Sequence, residues 1–162
     1  MTAQVEARRK LITAMLACLG VGWATWSCAP ADQAAEVARQ AGATLTAQPG
    51  VTSKDRSALQ IWLAARLDYA PPLRDFPDGG FTLAGASTAR LDGQAVAILL
   101  YDASGQRLAL ALWPGATAPR DDRVDGRAVL GWTQQGCEYW VVSAGNADAA
   151  RRLRAAWQLR GR

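Results

Sequence analysis

Residues 81–113 read FTLAGASTARLDGQAVAILLYDASGQRLALALW, and this stretch decides the fold class. Asp92-Gly93 and Ser104-Gly105 are turn signals of the kind that joins antiparallel strands through two residues. They divide the stretch into three predicted strands, at 81–90, 94–102 and 106–113. The middle strand is apolar on both faces, which is expected of a central strand because both of its faces are covered. Pro114 ends the third strand, since proline cannot donate a ladder hydrogen bond.

A second hairpin follows a charged segment. Residues 115–126 contain five charged side chains and are predicted to form a loop; these are Arg120, Asp121, Asp122, Arg123 and Asp125. Residues 127–134 and 137–144 have strand patterns, and the tight turn Gln135-Gly136 joins them. Because hairpins place neighbouring strands in opposite directions, the sequence predicts an antiparallel sheet of about five strands.

Two amphipathic helices flank the predicted strands. The first covers 53–67, begins at the capping-box pattern of residues 52–55 and precedes Pro71-Pro72. The second covers 147–160 and is capped by Asn146. Both place apolar residues at helical spacing, so each is expected to bury one face on the same side of the sheet. The predicted fold class is therefore α+β, with residues 53–162 forming one domain.

The segment before this domain is predicted to be a stalk, at residues 30–52. Residues 32–43 resemble a short polar helix that ends at Gly42, and Gln48-Pro49-Gly50 is a turn signal.

The apolar run Leu11–Ala29 contains no charged residue and is predicted to be a transmembrane helix. At about 1.5 Å per residue it spans about 28 Å, close to the thickness of the hydrocarbon core. Trp23 and Trp26 stand near its far end, where aromatic belts form. Basic residues stand at its near end, so residues 1–10 are predicted to be a cytoplasmic tail and the domain to lie outside, in the periplasm of a bacterial inner-membrane protein.

Two other interpretations of this segment remain open. Ala29-Pro30-Ala31 fits a signal-peptide cleavage site, and Met15-Leu16-Ala17-Cys18 is a poor match to a lipid-attachment box. In both, the main domain still lies outside the cytoplasmic membrane. Small residues recur every four positions in the run, a spacing that allows two membrane helices to approach closely and form a homodimer: Ala14, Cys18 and Gly22.

Composition excludes several kinds of chemistry. The chain contains no histidine, which rules out Ser-His-Asp and Cys-His catalysis and histidine-bearing zinc sites. Its three cysteines form no CxxC pair. Half of the net charge of +4 lies ahead of the apolar run, and the rest of the chain is nearly balanced. We therefore predict no catalytic residue, no cofactor, no metal and no direct binding of nucleic acid.

The candidate interaction surface consists of aromatic residues of the strands and arginines of the charged segment. If one face of the sheet stays uncovered, the aromatic side chains are expected to form an apolar groove; otherwise they belong to the core. The arginines belong to a candidate recognition loop. These residues are Tyr101, Trp113, Arg120, Arg123, Trp132 and Trp140.

Several local patterns are shared with a known family. They are a WLxxRL-type helix (Trp62, Leu63, Arg66, Leu67), a glycine-rich entry to the first strand (Gly80, Leu83, Gly85), a hairpin with Leu100-Tyr101 followed by Gly105-Gln106-Arg107-Leu108, and a later strand pair with Trp132 and Tyr139-Trp140. In these patterns the chain from residue 59 onward resembles the periplasmic C-terminal domain of proteobacterial transmembrane anti-sigma factors. Those proteins carry a cytoplasmic sigma-binding domain, often with a zinc site, before the membrane helix. Here only ten residues precede the apolar run, so sequestration of a sigma factor in that way is not expected.

The resemblance implies a membrane-anchored regulatory or sensory protein whose outer domain binds an envelope or membrane protein or responds to a signal. The alternative is a secreted or periplasmic ligand-binding module, released by cleavage after Ala31.

Overall fold

A computed structural model describes residues 30–117 and 119–160 of the chain. The helices in this part are α1 (Pro30–Thr46), α2 (Arg56–Ala64) and α3 (Ala147–Leu159), and a 3₁₀ turn covers Pro77–Gly79. The strands are β1 (Val51–Thr52), β2 (Thr82–Leu91), β3 (Gln94–Ala103), β4 (Gln106–Pro114), β5 (Asp122–Val124), β6 (Arg127–Gln134) and β7 (Cys137–Ser143). The α+β class is confirmed.

The strands form one sheet in the order β1-β2-β3-β4-β7-β6-β5, and every neighbouring pair is antiparallel. Four hairpin turns have positive φ at both central residues, the geometry that matches the right-handed twist of the flanking strands. They are Asp92-Gly93, Ser104-Gly105, Asp125-Gly126 and Gln135-Gly136. Three of these turns were predicted from the sequence, and Asp125-Gly126 was not.

The predicted number of five strands is wrong, because the sheet has seven. Strand β1 contains two residues and pairs with β2, and β5 contains three and pairs with β6. Strand β5 falls in the segment predicted to be a loop, where Asp122 and Arg123 are exposed. Neither strand shows an alternation of apolar residues, because each lies at an edge of the sheet and forms through pairing with its neighbour.

Helices cover both faces of the sheet, which creates two apolar clusters. On the two-helix face, α2 and α3 bury side chains such as Leu63 and Trp157 against the sheet. On the single-helix face, α1 buries Val37 and Ala38 against the opposite side. Strands β3 and β4 lie between the clusters and are buried on both faces, as expected of central strands.

The helical ends differ from their predicted positions by a few residues. Helix α2 begins at Arg56 after the N-cap Asp55, whose carboxylate accepts the backbone N–H of Ser57 at 2.8 Å. Asn146 caps α3 as predicted, by accepting the backbone N–H of Asp148 at 2.7 Å.

The stretch interpreted as a stalk is packed against the sheet, since α1 lies on one face and β1 pairs at one edge. Helix α1 also continues through Gly42, where the sequence predicted its end. A Cβ atom at Gly42 would lie 3.1 Å from the guanidinium carbon of Arg127 on β6. The glycine therefore serves the close approach of helix and sheet and does not end the helix.

The predicted membrane segment 11–29, the tail 1–10 and the small residues Ala14, Cys18 and Gly22 lie outside the described residues. Within 30–117 and 119–160, none of the helices is both long and apolar enough to cross a bilayer.

Candidate functional site

The four aromatic residues of the predicted surface lie in the core. Tyr101 and Trp132 belong to the cluster of the two-helix face, and Trp113 and Trp140 belong to that of the single-helix face. The largest exposed fraction among the four is 6%, at Trp132. They do not form one groove, because both faces of the sheet are covered and the four rings are divided between them.

Arg120 and Arg123 are exposed, as a recognition loop requires. Arg123 lies on the edge strand β5, and its backbone N–H donates to the side chain of Asp122 at 2.7 Å. The neighbouring Asp121 accepts from Arg154 of α3 at 2.6 Å. This ion pair ties the charged segment to the last helix.

The sheet opens into a fork between β3 and β4. Pairing of β3 with β4 ends at Ala97 and Leu112, although β3 continues to pair with β2 as far as Gln94. Beyond Leu112, β4 pairs with β7 alone, up to Pro114. Two central strands that are otherwise fully paired thus separate at this end of the sheet.

Two side chains bridge the fork. The hydroxyl of Tyr69 accepts the backbone N–H of Ala97 at 2.9 Å and donates to the carbonyl of Leu112 at 2.7 Å. The amide of Gln94 donates to the carbonyl of Pro114 at 3.0 Å. Burial raises the pKa of Tyr69 to about 12, although the hydrogen bond from Ala97 opposes the shift. The hydroxyl therefore keeps its proton at neutral pH and can donate to the strand carbonyl.

On the two-helix face, the fork is the floor of a cleft of about 560 Å³ that we name the fork cleft. Its walls include Arg66 and Asp68, from the turn after α2, and Arg90, Gly93 and Gln94, from the β2–β3 hairpin. Both arginines are exposed. The cleft therefore presents two guanidinium groups and one carboxylate around a closed backbone floor.

On the single-helix face, a second cleft of about 240 Å³ lies between α1 and the same hairpin. Glu36 and Arg39 of α1 line it and form an ion pair at 2.5 Å. Gln33 lines it too and donates its side-chain amide to Glu138 of β7 at 3.2 Å. Gln94, whose side chain bridges the fork, lines both clefts. The fork therefore lies between the two clefts.

Glu138 is a buried carboxylate that connects three elements. It is 2% exposed and accepts hydrogen bonds from Gln33 of α1 and from the backbone N–H of Thr117, the latter at 3.0 Å. A Cβ atom at Gly115 would lie 2.5 Å from a carboxylate oxygen, so this position requires glycine. The two hydrogen bonds compensate part of the cost of burying the carboxylate. Glu138 thereby joins α1 to the loop after β4.

In the described parts of the chain, no group of three or more His, Cys, Asp or Glu side chains is placed to hold a metal ion. Cys137 is a half-buried thiol at the start of β7, and burial raises the pKa of this thiol.

The sequence did not reveal the residues that build the fork. Tyr69, Arg90 and Glu138 were missed, and Arg66 was noticed only as part of the WLxxRL pattern. The one available signal was the position of Tyr69 just before Pro71-Pro72. The prolines keep this segment from pairing as a strand, so its polar groups must find hydrogen-bonding partners elsewhere in the fold. Comparison with protein-family models, with curated proteins and with solved structures returned no match for this chain.

Proposed function

We propose that this chain is a membrane-anchored regulatory or sensory protein of a bacterial inner membrane. It crosses the membrane once, and its C-terminal domain lies in the periplasm and binds an envelope protein or a signal. The resemblance to the outer domain of transmembrane anti-sigma factors supports this function, as does the basic flank ahead of Leu11–Ala29.

The observation that carries the proposal is the position of α1. This helix begins directly after Leu11–Ala29, and it packs across the sheet through Val37, Ala38 and Ala41, which are at most 1% exposed. Its residues also line one of the two clefts at the fork. An anchor joined to such a helix would be coupled to the domain without a flexible connection. A ligand bound in one of the clefts at the fork would then alter the packing of α1, the helix that follows the anchor.

The anchor and its orientation are tested with the full-length chain. A fusion of alkaline phosphatase after Arg162 is expected to be active, and the protein is expected to remain in the membrane fraction after carbonate extraction. Leu19→Arg places a charge in the middle of the apolar run and should weaken membrane retention, because a charged residue at the bilayer centre costs about 3 kcal/mol. Leu159→Arg, at an exposed position of α3, is the matched control and should leave retention unchanged. An inactive phosphatase fusion would contradict the proposal, because this enzyme needs disulfide bonds that do not form in the cytoplasm.

The second candidate function is the released ligand-binding module. The Ala29-Pro30-Ala31 pattern favours it, because cleavage there would remove the apolar run and leave most of α1 on the sheet. N-terminal sequencing of the mature protein separates the two candidates. Asp32 as the first residue of a soluble periplasmic product would support the released module.

A further inference from the structure

We propose that the fork cleft binds a phosphate group, which Arg66 from the turn after α2 and Arg90 from the β2–β3 hairpin hold together. The proposal rests on the proposed function in one respect, since it names the chemical class of the signal that the outer domain binds. The phosphate would be a monoester, either of a soluble compound or of the lipid phosphatidic acid, and both present the same terminal oxygens to the arginines.

The described part of the chain contains 13 arginines, and seven of them, Arg66 and Arg90 included, form no ion pair with a described carboxylate. Six arginines there form ion pairs with carboxylates, namely Arg39, Arg56, Arg107, Arg151, Arg154 and Arg160. Arg66 and Arg90 have no such partner among the described residues, although Asp68 lines the same cleft. Two guanidinium charges thus face one cleft that holds one carboxylate, and this balance favours an anion.

Both guanidinium groups are held in place by the backbone. Arg66 lies 4.0 Å above the ring of Trp62 and donates to the carbonyl of Trp62 at 3.0 Å. Arg90 donates to the carbonyl of Gly93 at 3.1 Å. A guanidinium has five N–H donors, so each retains donors for a ligand after these bonds are made. Side chains that are already ordered lose less entropy when they bind.

The number of donors favours phosphate over carboxylate. A phosphate monoester carries up to two negative charges and three strong acceptor oxygens, whereas a carboxylate offers one charge and two oxygens. A carboxylate is matched by a single guanidinium, whereas a phosphate monoester has enough oxygens to accept from two. The volume of about 560 Å³ also leaves room for the organic part of an ester.

The soluble arm of the test uses the full-length chain in an uncharged detergent, titrated calorimetrically with glycerol 1-phosphate at low salt. Binding should weaken about tenfold in Arg66→Gln and in Arg90→Gln, because each loses a charge-assisted hydrogen-bonding partner. Arg66→Lys and Arg90→Lys keep the charge and serve if a glutamine variant fails to fold. Arg152→Gln is the matched control, since it removes one exposed arginine of α3 that forms no ion pair with the described carboxylates.

The lipid arm uses the full-length chain in nanodiscs of phosphatidylcholine with and without phosphatidic acid, whose headgroup is a phosphate monoester. If the phosphate is that of a headgroup, phosphatidic acid should raise the midpoint of thermal unfolding, and R66Q and R90Q should abolish the rise. Arginine-dependent binding in the first arm assigns a soluble ester, and arginine-dependent stabilisation in the second arm alone assigns a headgroup.

The proposal is overturned if neither arm responds, or if R152Q reduces the response as much as R66Q and R90Q do. Membrane retention and the phosphatase fusion do not depend on the cleft. A negative binding result with an intact anchor would therefore remove the phosphate site and leave the membrane topology in place.

Discussion

The helices on the two faces of the sheet contribute side chains of different size, although the sheet also buries Trp113 and Trp140 on the single-helix face. The two-helix face is filled with large aromatic side chains: Phe76, Phe81, Tyr101, Trp132, Tyr139 and Trp157. On the single-helix face, α1 presents mostly small side chains: Ala34, Val37, Ala38 and Ala41. The difference teaches that the contact of α3 with the sheet depends on side-chain volume, whereas that of α1 depends on close approach. Truncation should therefore harm the α3 contact more, and enlargement should harm the α1 contact more.

The largest effect is expected from Trp157→Ala on the two-helix face. Trp157 is fully buried, and its ring centroid lies 5.6 Å from that of Phe76 and 5.3 Å from that of Tyr139. Its truncation should lower the free energy of unfolding by about 3–5 kcal/mol, because the cavity cannot collapse between packed rings. Leu159→Ala on the same helix is the control, since Leu159 is 71% exposed. Equal urea midpoints for the two variants would refute the dependence of the α3 contact on side-chain volume.

The next effect is expected from Ala41→Leu on the single-helix face. Ala41 belongs to α1 and is fully buried, so a larger side chain at this position must push the helix away from the sheet. The free energy of unfolding should fall by about 1–3 kcal/mol, and the amides of α1 should exchange faster with deuterium. Ala43→Leu makes the same change at an exposed position of the helix. If both variants behave alike, α1 does not depend on close approach.

A smaller effect is expected from Tyr69→Phe at the fork. Removal of the hydroxyl leaves the N–H of Ala97 and the carbonyl of Leu112 without their partner, at a cost of about 1–2 kcal/mol. Tyr101→Phe is the comparison, because its hydroxyl bonds to one backbone group, the carbonyl of Arg74, at 2.6 Å, whereas that of Tyr69 bonds to two. Chemical denaturation of both variants should show the larger loss for Y69F. The reverse order would mean that the bridge contributes little to holding the fork.

The smallest effect is expected from the ionisation of the buried tyrosines. It lowers the free energy of unfolding only in alkaline solution and leaves it unchanged at neutral pH. Burial raises the pKa of Tyr69 and Tyr139 to about 12 and also raises that of Tyr101. The unfolded tyrosine titrates near pH 10, so between pH 10 and 12 the unfolded state releases protons that the folded state retains. The stabilising contribution is therefore complete below pH 10 and is lost as the pH rises through 12.

Two of these tyrosines, Tyr101 and Tyr139, lie on the two-helix face, and Tyr69 packs against the clusters of both faces. Urea midpoints measured between pH 8 and 12 should fall above pH 10, and Tyr139→Phe should reduce the slope. A midpoint that stays constant over this range would show that the buried hydroxyls do not titrate differently in the two states.

Much of the fold followed from local patterns. The hairpin turns at 92–93, 104–105 and 135–136 were predicted because a two-residue turn between twisted strands needs positive φ, which glycine adopts without strain. The helix after Asn146 was predicted because its cap and its apolar spacing lie within one segment. The edge strands β1 and β5 were missed, since they are short and have no apolar alternation of their own.

The candidate site was not predictable in the same way. Arg66 and Arg90 are far apart along the chain. They line the same cleft only because the turn after α2 lies beside the β2–β3 hairpin. Tyr69 is an ordinary loop residue until the register of β3 and β4 ends at Ala97 and Leu112. A register and its end depend on both strands together, so neither segment signals the fork by itself.

The sequence by itself determined the antiparallel hairpins, the α+β class and the two helices of the aromatic face, because turn chemistry and apolar periodicity are local properties of the chain. Only the tertiary structure decided that α1 covers the second face, that the predicted aromatic surface is core, and that β3 and β4 part around Tyr69. These features arise from contacts between residues far apart in the chain. Their free energy comes from the burial of facing surfaces, which no single segment contains.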